Sequence, residues 1–260
     1  MLRGFLSAIG VYEIYKRWLH MQIGSKERPK HIGIILDGNR RWAFMRNMIP
    51  WEGHKEGAEK IKDFLDWCID LGIETVTLYV FSTENFDRSD REVEEIMMLA
   101  EENLREILGS DVIHKNRVCV RAIGRINLLP KHIQQLIYEI EEKTIHYDRF
   151  YLNLAIAYGG RAEIVDAAKE LGLKVKKGEL NPEDFNEDIF EKHLYTSHLP
   201  QPDPDLIIRT SGEARLSGFL LWQSAYSELF FVDVYWPEFR KIELLRAIRS
   251  FQQRHRRFGK

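Results

Sequence analysis

Residues 31–42 of the 260-residue chain read His31-Ile32-Gly33-Ile34-Ile35-Leu36-Asp37-Gly38-Asn39-Arg40-Arg41-Trp42. An apolar, β-branched run that leads into Gly and Asn predicts a buried strand ending in a tight turn. One carboxylate, Asp37, and two guanidinium groups, Arg40 and Arg41, stand at that turn. Carboxylate oxygen is a suitable Mg²⁺ ligand, and guanidinium groups bind phosphate oxygens in pairs. The alternative is an ordinary strand-end turn with solvated arginines.

The rest of the chain alternates short apolar runs with amphipathic helical patterns. The runs that predict strands are His31–Leu36, Thr75–Phe81, Val118–Ile123, Tyr151–Ala157, Leu206–Arg209 and Glu228–Val232. The patterns that predict helices are Gly57–Leu71, Asp90–Leu108, Lys131–Ile145, Arg161–Leu171 and Pro237–Arg254. This alternation predicts a single α/β domain with a mostly parallel central sheet of about six strands and flanking helices.

Polar turns follow several of these strands, as Asp37 follows the first. The later turns are Ser82-Thr83-Glu84-Asn85, Tyr158-Gly159-Gly160-Arg161 and Arg209-Thr210-Ser211-Gly212-Glu213. The carboxyl ends of parallel strands share one edge of a sheet, where ligands bind. Polar turns that converge on one edge predict a functional site there.

The composition limits the classes of protein to consider. A net charge of -2 argues against a protein that holds nucleic acid by bulk positive charge. Cys68 and Cys119 lie in apolar runs without metal-site spacing, which favours buried free thiols in a reducing, cytoplasmic compartment. No apolar run approaches the ~20 residues that a membrane span requires.

Several reaction classes lack their motifs in this chain. There is no Gly-x-x-x-x-Gly-Lys-Ser/Thr phosphate loop and no Gly-x-Ser-x-Gly nucleophile turn. An aspartyl phosphatase needs a second acid two residues from the first, and this chain has Ile35 before Asp37. The predicted helices also carry no paired-aspartate cluster of the trans-prenyl synthase kind. A generic phosphohydrolase is therefore disfavoured.

The first 23 residues differ in character from the rest. Apolar residues at helical spacing in this segment are Leu2, Phe5, Ile9, Tyr12, Tyr15 and Leu19, with Arg3, Lys16 and Arg17 among them. The segment has no small-residue cleavage site and is not typical of a signal peptide. Two interpretations stay open, a helix on the membrane surface and a helix packed on its own domain. We divide the chain into an amphipathic N-terminal helix, 1–23, and a second region, 24–260.

Five ordered motifs of the second region resemble those of the cis-prenyltransferase family, the undecaprenyl and dehydrodolichyl diphosphate synthases. They are His31–Trp42, Glu52–Gly57, Leu78–Phe86, Ile208–Glu213 and Phe219–Gln223, and the match extends to Trp236-Pro237. The resemblance implies a catalytic domain over 24–260. It also implies a transferase that condenses isopentenyl diphosphate repeatedly onto an allylic diphosphate, with Mg²⁺ and cis double bonds. The product would be a long-chain polyprenyl diphosphate for dolichol- or undecaprenol-type lipid carriers.

The resemblance also assigns roles to individual residues. It implies that Asp37 is the catalytic acid at the allylic diphosphate and, with Glu228, a metal ligand. Asn85 matches the residue assigned to proton removal, although an amide is a poor base and positioning is its more physical role. Arg209, Arg215 and Ser217 resemble the clamp on isopentenyl diphosphate. The other substrate-binding residues implied are Gly38, Asn39, Arg40, Arg41, Trp42, His54, Ser82, Thr83, Glu84, Phe86, Arg88 and Leu216.

Some of these assignments have structural alternatives. Ser89 and Glu92 form a capping box, so Glu92 either fastens a helix start or acts at the substrate. Trp42 and Phe86 are either core residues or contacts to an isoprenoid chain. An apolar stripe on the helix Asp90–Leu108 is either core or the wall of the family's product tunnel. The stripe comprises Val93, Ile96, Met97, Ala100, Leu104 and Leu108.

The chain departs from the bacterial members of the family in three places. Arg40 replaces a usual Gly, and Thr210-Ser211-Gly212-Glu213 replaces Thr-Gly-Gly-Glu, as in eukaryotic and archaeal members. Pro50 stands where a phosphate-contacting Arg is expected, and Arg40 is a candidate for the missing charge. The sequence does not decide between farnesyl and geranylgeranyl diphosphate as primer, nor the product length. The rival class is a non-catalytic partner subunit, which retention of the polar motif residues disfavours.

The chain ends in a basic segment that bears on assembly. The family works as dimers, and Arg257-Phe258-Gly259 resembles the Arg-x-Gly tail that reaches the isopentenyl diphosphate site of a neighbouring subunit. Arg257 would supply a guanidinium for diphosphate, and Gly259 would allow close backbone approach. We therefore expect a homodimer, with a disordered basic tail as the alternative.

Overall fold

The strands of the sheet lie where the apolar runs predict them. The computed structural model describes residues 11–24 and 26–254, and its strands are β1 (His31–Ile35), β2 (Thr75–Ser82), β3 (Val118–Ile123), β4 (Phe150–Tyr158), β5 (Leu206–Arg209) and β6 (Glu228–Phe231). They form one sheet in the order β3-β4-β2-β1-β5-β6, and every neighbouring pair is parallel. The predicted single-domain α/β fold is confirmed.

Helices connect the strands on both faces of the sheet. They are α1 (Val11–Ile23), α2 (Asn39–Phe44), α3 (Pro50–Asp70), α4 (Asp90–Leu108), α5 (Asp111–Lys115), α6 (Lys131–Thr144), α7 (Gly160–Lys176), α8 (Glu187–Glu191) and α9 (Lys241–Gln253). Short 3₁₀ turns lie at Thr83–Asp87, Ile126–Leu128, Pro182–Asp184 and Trp236–Glu238.

Several helices differ from the sequence prediction, and α7 continues to Lys176 rather than ending at Leu171. Helix α3 begins at Pro50 rather than Gly57, because proline is well suited to the first helical turn, where no intrahelical N–H bond is lost. Residues 39–44, predicted as a turn, form the short helix α2. The last helix begins at Lys241 rather than Pro237, because a separate 3₁₀ turn occupies Trp236–Glu238.

The two faces of the sheet are covered unequally. The larger core packs β-strand residues such as Ile34, Leu78 and Ile208 against α3, α4, α6 and α9. On the other face, Tyr79, Tyr158 and Phe219 pack together as an aromatic cluster. The thick helical layer lies on the face where a long cavity is found, as described below.

Helix α1 packs on the domain. Leu19 and Ile23 are completely buried in the larger core, and the helix lies against α9. Its opposite side leaves Ile14 and Met21 about 70% exposed (69% and 72%). None of the helices in the described ranges is long and apolar enough to span a bilayer. Residues 1–10 of the predicted N-terminal helix lie outside the described residues.

Candidate active site

Asp37 is fixed at the carboxyl edge of the sheet by its own backbone. The Thr210 hydroxyl accepts a hydrogen bond from the Asp37 N–H (2.9 Å) and donates one to the Asp37 carbonyl (2.6 Å). The Trp236 N–H also donates to that carbonyl at 3.1 Å. The next residue, Gly38, has a φ of 104°, and a Cβ there would lie 2.6 Å from the Tyr235 ring. Only glycine fits this turn without strain.

Two arginines hold the Asp37 carboxylate. Arg209 Nη2 donates to Oδ2 at 2.8 Å, and Arg41 Nη2 donates to Oδ1 at 3.1 Å. Partial burial acts to raise the pKa of Asp37, but hydrogen bonds from Arg209 and Ser211 and the positive charges of Arg209 and Arg41 lower it below its ordinary value. The carboxylate is therefore ionised across the physiological pH range.

Arg209 links Asp37 to the segment after β5. Its Nη1 donates to the hydroxyl of Ser217 at 2.7 Å and to the carbonyl of Arg215. The side chain is almost fully buried, and its Nε has no hydrogen-bond partner among residues 11–24 and 26–254. Ser211 and Ser217 have φ values of 76° and 49°, which non-glycine residues rarely adopt. Backbone strain of this kind concentrates at binding sites, where surrounding contacts maintain it.

Arg41 binds a second set of acceptors. Its Nη2 donates to Ser211 Oγ at 2.7 Å, and its Nη1 lies 3.3 Å from Glu213 Oε1. Arg215 also pairs with Glu213. Arg215 and Arg41 are both substantially exposed, so an anion can compete with Glu213 for their guanidinium groups.

A further cluster surrounds Glu92 at the start of α4. Its carboxylate lies 2.9 Å from Arg88 Nη1, 3.6 Å from Arg40 Nε and 3.7 Å from His54 Nε2. Ser89 Oγ accepts from the Glu92 N–H at 3.4 Å, which is one half of the predicted capping box. The Glu92 side chain faces the arginines, as the substrate interpretation requires.

His54 is held neutral in this cluster. Burial, and then the positive charge of Arg88, lower its pKa below the ordinary value, although Glu92 acts in the opposite direction. The histidine therefore adds hydrogen-bonding capacity rather than charge near pH 7.

Asn39 and helix α3 approach each other closely. A Cβ at Gly53 would lie 2.2 Å from the Asn39 carbonyl oxygen, and a Cβ at Gly57 would lie 2.5 Å from Asn39 Oδ1. Gly57 also accepts a 2.7 Å hydrogen bond from Trp236 Nε1 through its carbonyl. The glycines let α3 pack against the start of α2, which fixes the turn after β1.

Asn85 lies in the 3₁₀ turn after β2. Its Oδ1 accepts from the Ser82 N–H at 3.0 Å, so the amide oxygen is engaged within the turn. Ser82, Thr83, Glu84 and Asn85 all line the cavity described next. This geometry supports a positioning role for Asn85 rather than a role as base.

A cavity of about 1230 Å³ runs along the larger core beneath α3 and α4. Its polar end contains Asp37, Asn85 and Arg209. Its other lining residues include Ile73, Val118 and Phe150, which lie near the amino ends of strands, so the cavity spans the length of the sheet. The apolar stripe on α4 contributes both to the cavity wall and to the core. Ile96, Ala100 and Leu104 line the cavity, whereas Met97 is buried in the core.

A second pocket of about 650 Å³ adjoins the polar end. It shares Asp37, His54 and Arg88 with the larger cavity and adds Arg40 and Arg41. Pro50 lines the same pocket as Arg40. Arg40 is thus placed to supply the positive charge that is missing at Pro50.

Among the described residues, five predicted site residues line neither cavity: Trp42, Phe86, Arg215, Leu216 and Glu228. Trp42 is buried with Arg46 stacked over its ring at 4.3 Å, and Phe86 packs edge-on against Phe81. Neither lines either cavity, so their interpretation as isoprenoid contacts is not supported. Leu216 packs beside the aromatic cluster of the opposite face.

Glu228 does not join Asp37 within this chain. It begins β6 beside Leu206, at the amino edge of the sheet, and its carboxylate pairs with Arg254 at 2.6 Å. Phe231, at the opposite end of β6, is ~10 Å farther along the strand. The expectation that both carboxylates hold one ion is therefore wrong for a single chain. Arg257 and Gly259 lie outside the described residues.

The donor set still fits a magnesium ion bound mainly through its substrate. Mg²⁺ in phosphate sites commonly takes one or two carboxylates together with phosphate oxygens. Asp37 supplies one carboxylate of lowered pKa at the mouth of a cationic pocket. Among residues 11–24 and 26–254, no group of three or more His, Cys, Asp or Glu side chains is arranged to hold an ion alone.

Sequence reasoning missed several supporting residues. Thr210 and Ser211 belong to a recognised polar turn, but their bonds to Asp37 and Arg41 depend on the β1–β5 pairing. Tyr235 lies under Arg41, with 5.7 Å between the guanidinium carbon and the ring centroid. No local pattern distinguishes it from an ordinary core aromatic.

Comparisons with known proteins agree with this geometry. A family described as putative undecaprenyl diphosphate synthase matches residues 35–259. A geranylgeranyl-diphosphate-specific tritrans,polycis-undecaprenyl-diphosphate synthase from Methanocaldococcus jannaschii is 54% identical over 256 residues, 98% of this chain and 91% of the relative. A Pyrococcus abyssi protein of the same name is 50% identical over the whole of both chains.

Solved structures show the same relationship. Lavandulyl diphosphate synthase from Lavandula x intermedia, in complex with dimethylallyl diphosphate, superposes with a TM-score of 0.86 and 37% identity. That match covers 90% of this chain and 99% of the other. A probable undecaprenyl diphosphate synthase from Campylobacter jejuni gives a TM-score of 0.73 and 35% identity, over 90% and 100% of the two chains.

Proposed function

We propose a specific reaction for this chain on the premise that it belongs to the cis-prenyltransferase family. The chain is an enzyme that condenses isopentenyl diphosphate onto an allylic diphosphate and yields a long-chain polyprenyl diphosphate. The observation that carries the proposal is the junction of a cationic pocket with a long apolar cavity. A diphosphate head and a growing hydrocarbon tail require that combination.

The primer that we propose is geranylgeranyl diphosphate. Relatives that are about half identical to this chain carry that specificity in their names. The allylic diphosphate would bind in the smaller pocket, among Arg40, Arg41 and His54, with its tail in the larger cavity. The isopentenyl diphosphate would bind on the other side of Asp37, at Arg209 and Ser217.

The residues of this chain perform two tasks in the proposed reaction. Arg40, Arg41 and Arg88 stabilise negative charge that develops on the leaving diphosphate, in a partly enclosed site where such stabilisation is strong. Asn85 and Ser82 orient the isopentenyl group so that its carbon meets the allylic carbon. Mg²⁺, when bound, would neutralise further charge on the diphosphate, and Asp37 would hold it.

The direct test is incorporation of radiolabelled isopentenyl diphosphate. The protein is incubated with Mg²⁺ and either farnesyl or geranylgeranyl diphosphate, and product is extracted into an organic phase and sized. We expect long products and a higher kcat/KM with geranylgeranyl diphosphate. No incorporation with any allylic primer, with or without Mg²⁺, would favour the non-catalytic subunit instead.

We also propose a homodimer and a peripheral contact with membranes. The exposed side of α1 carries Ile14, Trp18 and Met21, and Arg249 stacks over Trp18 at 4.8 Å. Aromatic, aliphatic and basic groups in this combination favour anionic lipid surfaces. Ile14→Ser with Met21→Ser should weaken cosedimentation with anionic vesicles. Leu173→Ser, at another exposed apolar residue (56%), is the control that should not.

A further inference from the structure

Helices α3 and α4 form one wall of the larger cavity, and we call the line along which they meet the slot. Near the starts of the two helices, His54 and Glu92 approach to 3.7 Å. Farther along, the Nζ of Lys62 on α3 lies 2.8 Å from Oε2 of Glu106 on α4. Partly buried apolar residues between these contacts, Ile61 among them, line the cavity.

The Lys62–Glu106 contact differs from its surroundings. Lys62, Asp66, Asn103 and Glu106 are polar lining residues in a part of the cavity that is otherwise mainly apolar. The side chains of Lys62 and Glu106 are 41% and 55% exposed, so the pair lies where the cavity meets solvent. The hydrogen bond that Lys62 donates to Glu106 is the main reason that the pKa of Lys62 is raised, and Lys62 stays charged.

An exposed ion pair of this kind opens readily. Exposed pairs contribute little to folding stability, because solvent screens them and long side chains lose freedom in forming them. Lys62 also has a second partner on its own helix, since its Nζ lies 3.0 and 3.2 Å from the two Glu59 oxygens. When the bridge to Glu106 breaks, Lys62 therefore keeps an acceptor and the exposed Glu106 carboxylate is solvated, so opening costs little.

We infer that the Lys62–Glu106 pair is a lateral gate of the larger cavity. The inference rests on the proposed function and adds a specificity determinant to it. While the pair is closed, the growing hydrocarbon tail is confined between the sheet and the two helices. When it opens, the tail leaves sideways through the slot, and elongation continues beyond the length that the cavity accommodates. The strength of the pair therefore sets the length of the product.

Charge reversal tests the gate. Lys62→Glu places a carboxylate between Glu59 and Glu106, Glu106→Lys places a second ammonium group at the slot, and the double variant restores one pair of opposite charges across it. We expect both single variants to lengthen the most abundant product by about two isoprene units or more, because like charges repel across the slot. The double variant should return the product to the wild-type length. Products are sized by chromatography after incubation with geranylgeranyl diphosphate and excess isopentenyl diphosphate.

Lys60→Glu is the matched control. Lys60 lies on the same helix and pairs at 2.7 Å with Asp63 of that helix, so its reversal changes the same charge without affecting the α3–α4 bridge. It should leave the product length unchanged. An unchanged length in both single variants, failure of the double variant to restore it, or an equal shift in Lys60→Glu would each overturn the gate.

The first condensation distinguishes this failure from failure of the proposed function. A single addition to geranylgeranyl diphosphate takes place at the polar end of the cavity, among Asp37, Asn85 and Arg209, so its rate should be the same in wild type and all gate variants. If wild type adds isopentenyl units but the gate variants give wild-type lengths, only the gate is wrong. If wild type adds none, the proposed function itself fails.

Discussion

Strand β1 connects two polar clusters. In one the polar groups are hydrogen-bonded to each other, and in the other they face cavities and solvent. At its start, His31 is completely buried, with Nδ1 3.1 Å from the Gln201 carbonyl and Nε2 2.8 Å from the Thr77 hydroxyl. Asn153 extends this inner cluster by donating to Thr77 at 3.2 Å. Beyond the end of β1, Asp37 and its arginines face two cavities and solvent. We call these the inner cluster and the edge cluster.

The difference between the clusters separates a structural role from a functional one. The inner cluster consists of groups that satisfy each other inside the sheet, which fixes strand packing. In the edge cluster, Arg41 and Arg209 surround the Asp37 carboxylate at the mouth of two cavities, and within the described residues the buried Arg209 Nε has no hydrogen-bond partner. Excess cationic donors at a cavity require an anion from outside the chain. A substitution in the inner cluster should therefore lower folding stability, whereas a substitution in the edge cluster should lower catalytic activity.

The largest effect is expected at Asp37. Asp37→Ala should lower turnover by about three decades or more, a loss of ~4 kcal/mol of transition-state stabilisation. KM for the allylic diphosphate should change much less. Steady-state kinetics with saturating Mg²⁺ measure both quantities. More than a tenth of the wild-type rate would show that this carboxylate is structural.

The matched variant in the inner cluster is Thr77→Val. It keeps the shape of the side chain but removes the hydroxyl that bonds His31 Nε2 and Asn153 Nδ2, so about 1–3 kcal/mol of folding stability should be lost. Turnover at a temperature where the variant is folded should stay near wild type. A large fall in turnover without a change in urea midpoint would contradict the division between the clusters.

The second effect is a loss of stability in acid. Burial lowers the pKa of His31 to about 4 from its ordinary 6.5. As the pH falls, this histidine is therefore protonated in the unfolded chain at a higher pH than in the folded chain. The stabilisation from neutral His31 is complete above pH 6.5 and is lost as the pH falls towards 4, by about 3 kcal/mol in all.

Urea unfolding at pH 7 and pH 4.5 measures this loss. Other histidines with lowered pKa values, His20, His54 and His198, contribute to the same trend. His31→Gln is therefore needed for comparison, since it should be less stable at pH 7 but lose less stability on acidification. Equal losses in both proteins would mean that His31 titrates normally.

The third effect distinguishes the two substrates at the edge cluster. Arg209→Lys keeps the positive charge but cannot bind Asp37 and Ser217 at once through a planar fork. The KM for isopentenyl diphosphate should rise about tenfold to a hundredfold, as loss of a charged hydrogen bond predicts. The KM for the allylic primer should change little. Equal increases for both substrates would show that the two subsites are wrongly assigned.

The smallest effect concerns completion of the edge cluster by a second subunit. Removal of residues 257–260, outside the described residues, should lower kcat/KM for isopentenyl diphosphate about tenfold, because one guanidinium is lost from the site. The dimer should stay intact by sedimentation, and the inner cluster should keep its acid sensitivity. Full activity at unchanged mass would exclude a role for the tail.

The sequence predicts the edge cluster better than the inner one, for a physical reason. Asp37 and Asn85 each follow a strand and Arg209 ends one, so parallel pairing alone brings them to one edge. His31, Thr77 and Asn153 lie within strands, where a polar residue in an apolar run does not reveal its partner. Register decides those contacts, since Thr77 pairs with both Gly33 and Asn153.

The same reasoning explains why the sequence does not predict the position of Glu228 in the sheet. Glu228 lies between other site motifs in the sequence, but the two ends of a strand lie at opposite edges of the sheet. Glu228 begins β6, whereas Arg209 ends β5. The sequence also does not predict the contact of Tyr235 with Arg41 or the packing of Gly53 against Asn39, for a different reason. Both are contacts between segments far apart in the chain, and their spacing carries no local periodicity.

The contact of Gly53 and Gly57 with Asn39 limits how such an enzyme can diverge. Any side chain at either glycine would push α3 away from the turn after β1, and compensating changes would have to arise together. The cavity wall farther along α3, at Ile61 and Leu65, accepts other apolar side chains of similar volume at little cost. Descendants of this chain can therefore vary the apolar wall by single mutations while the turn that fixes Asp37 stays unchanged.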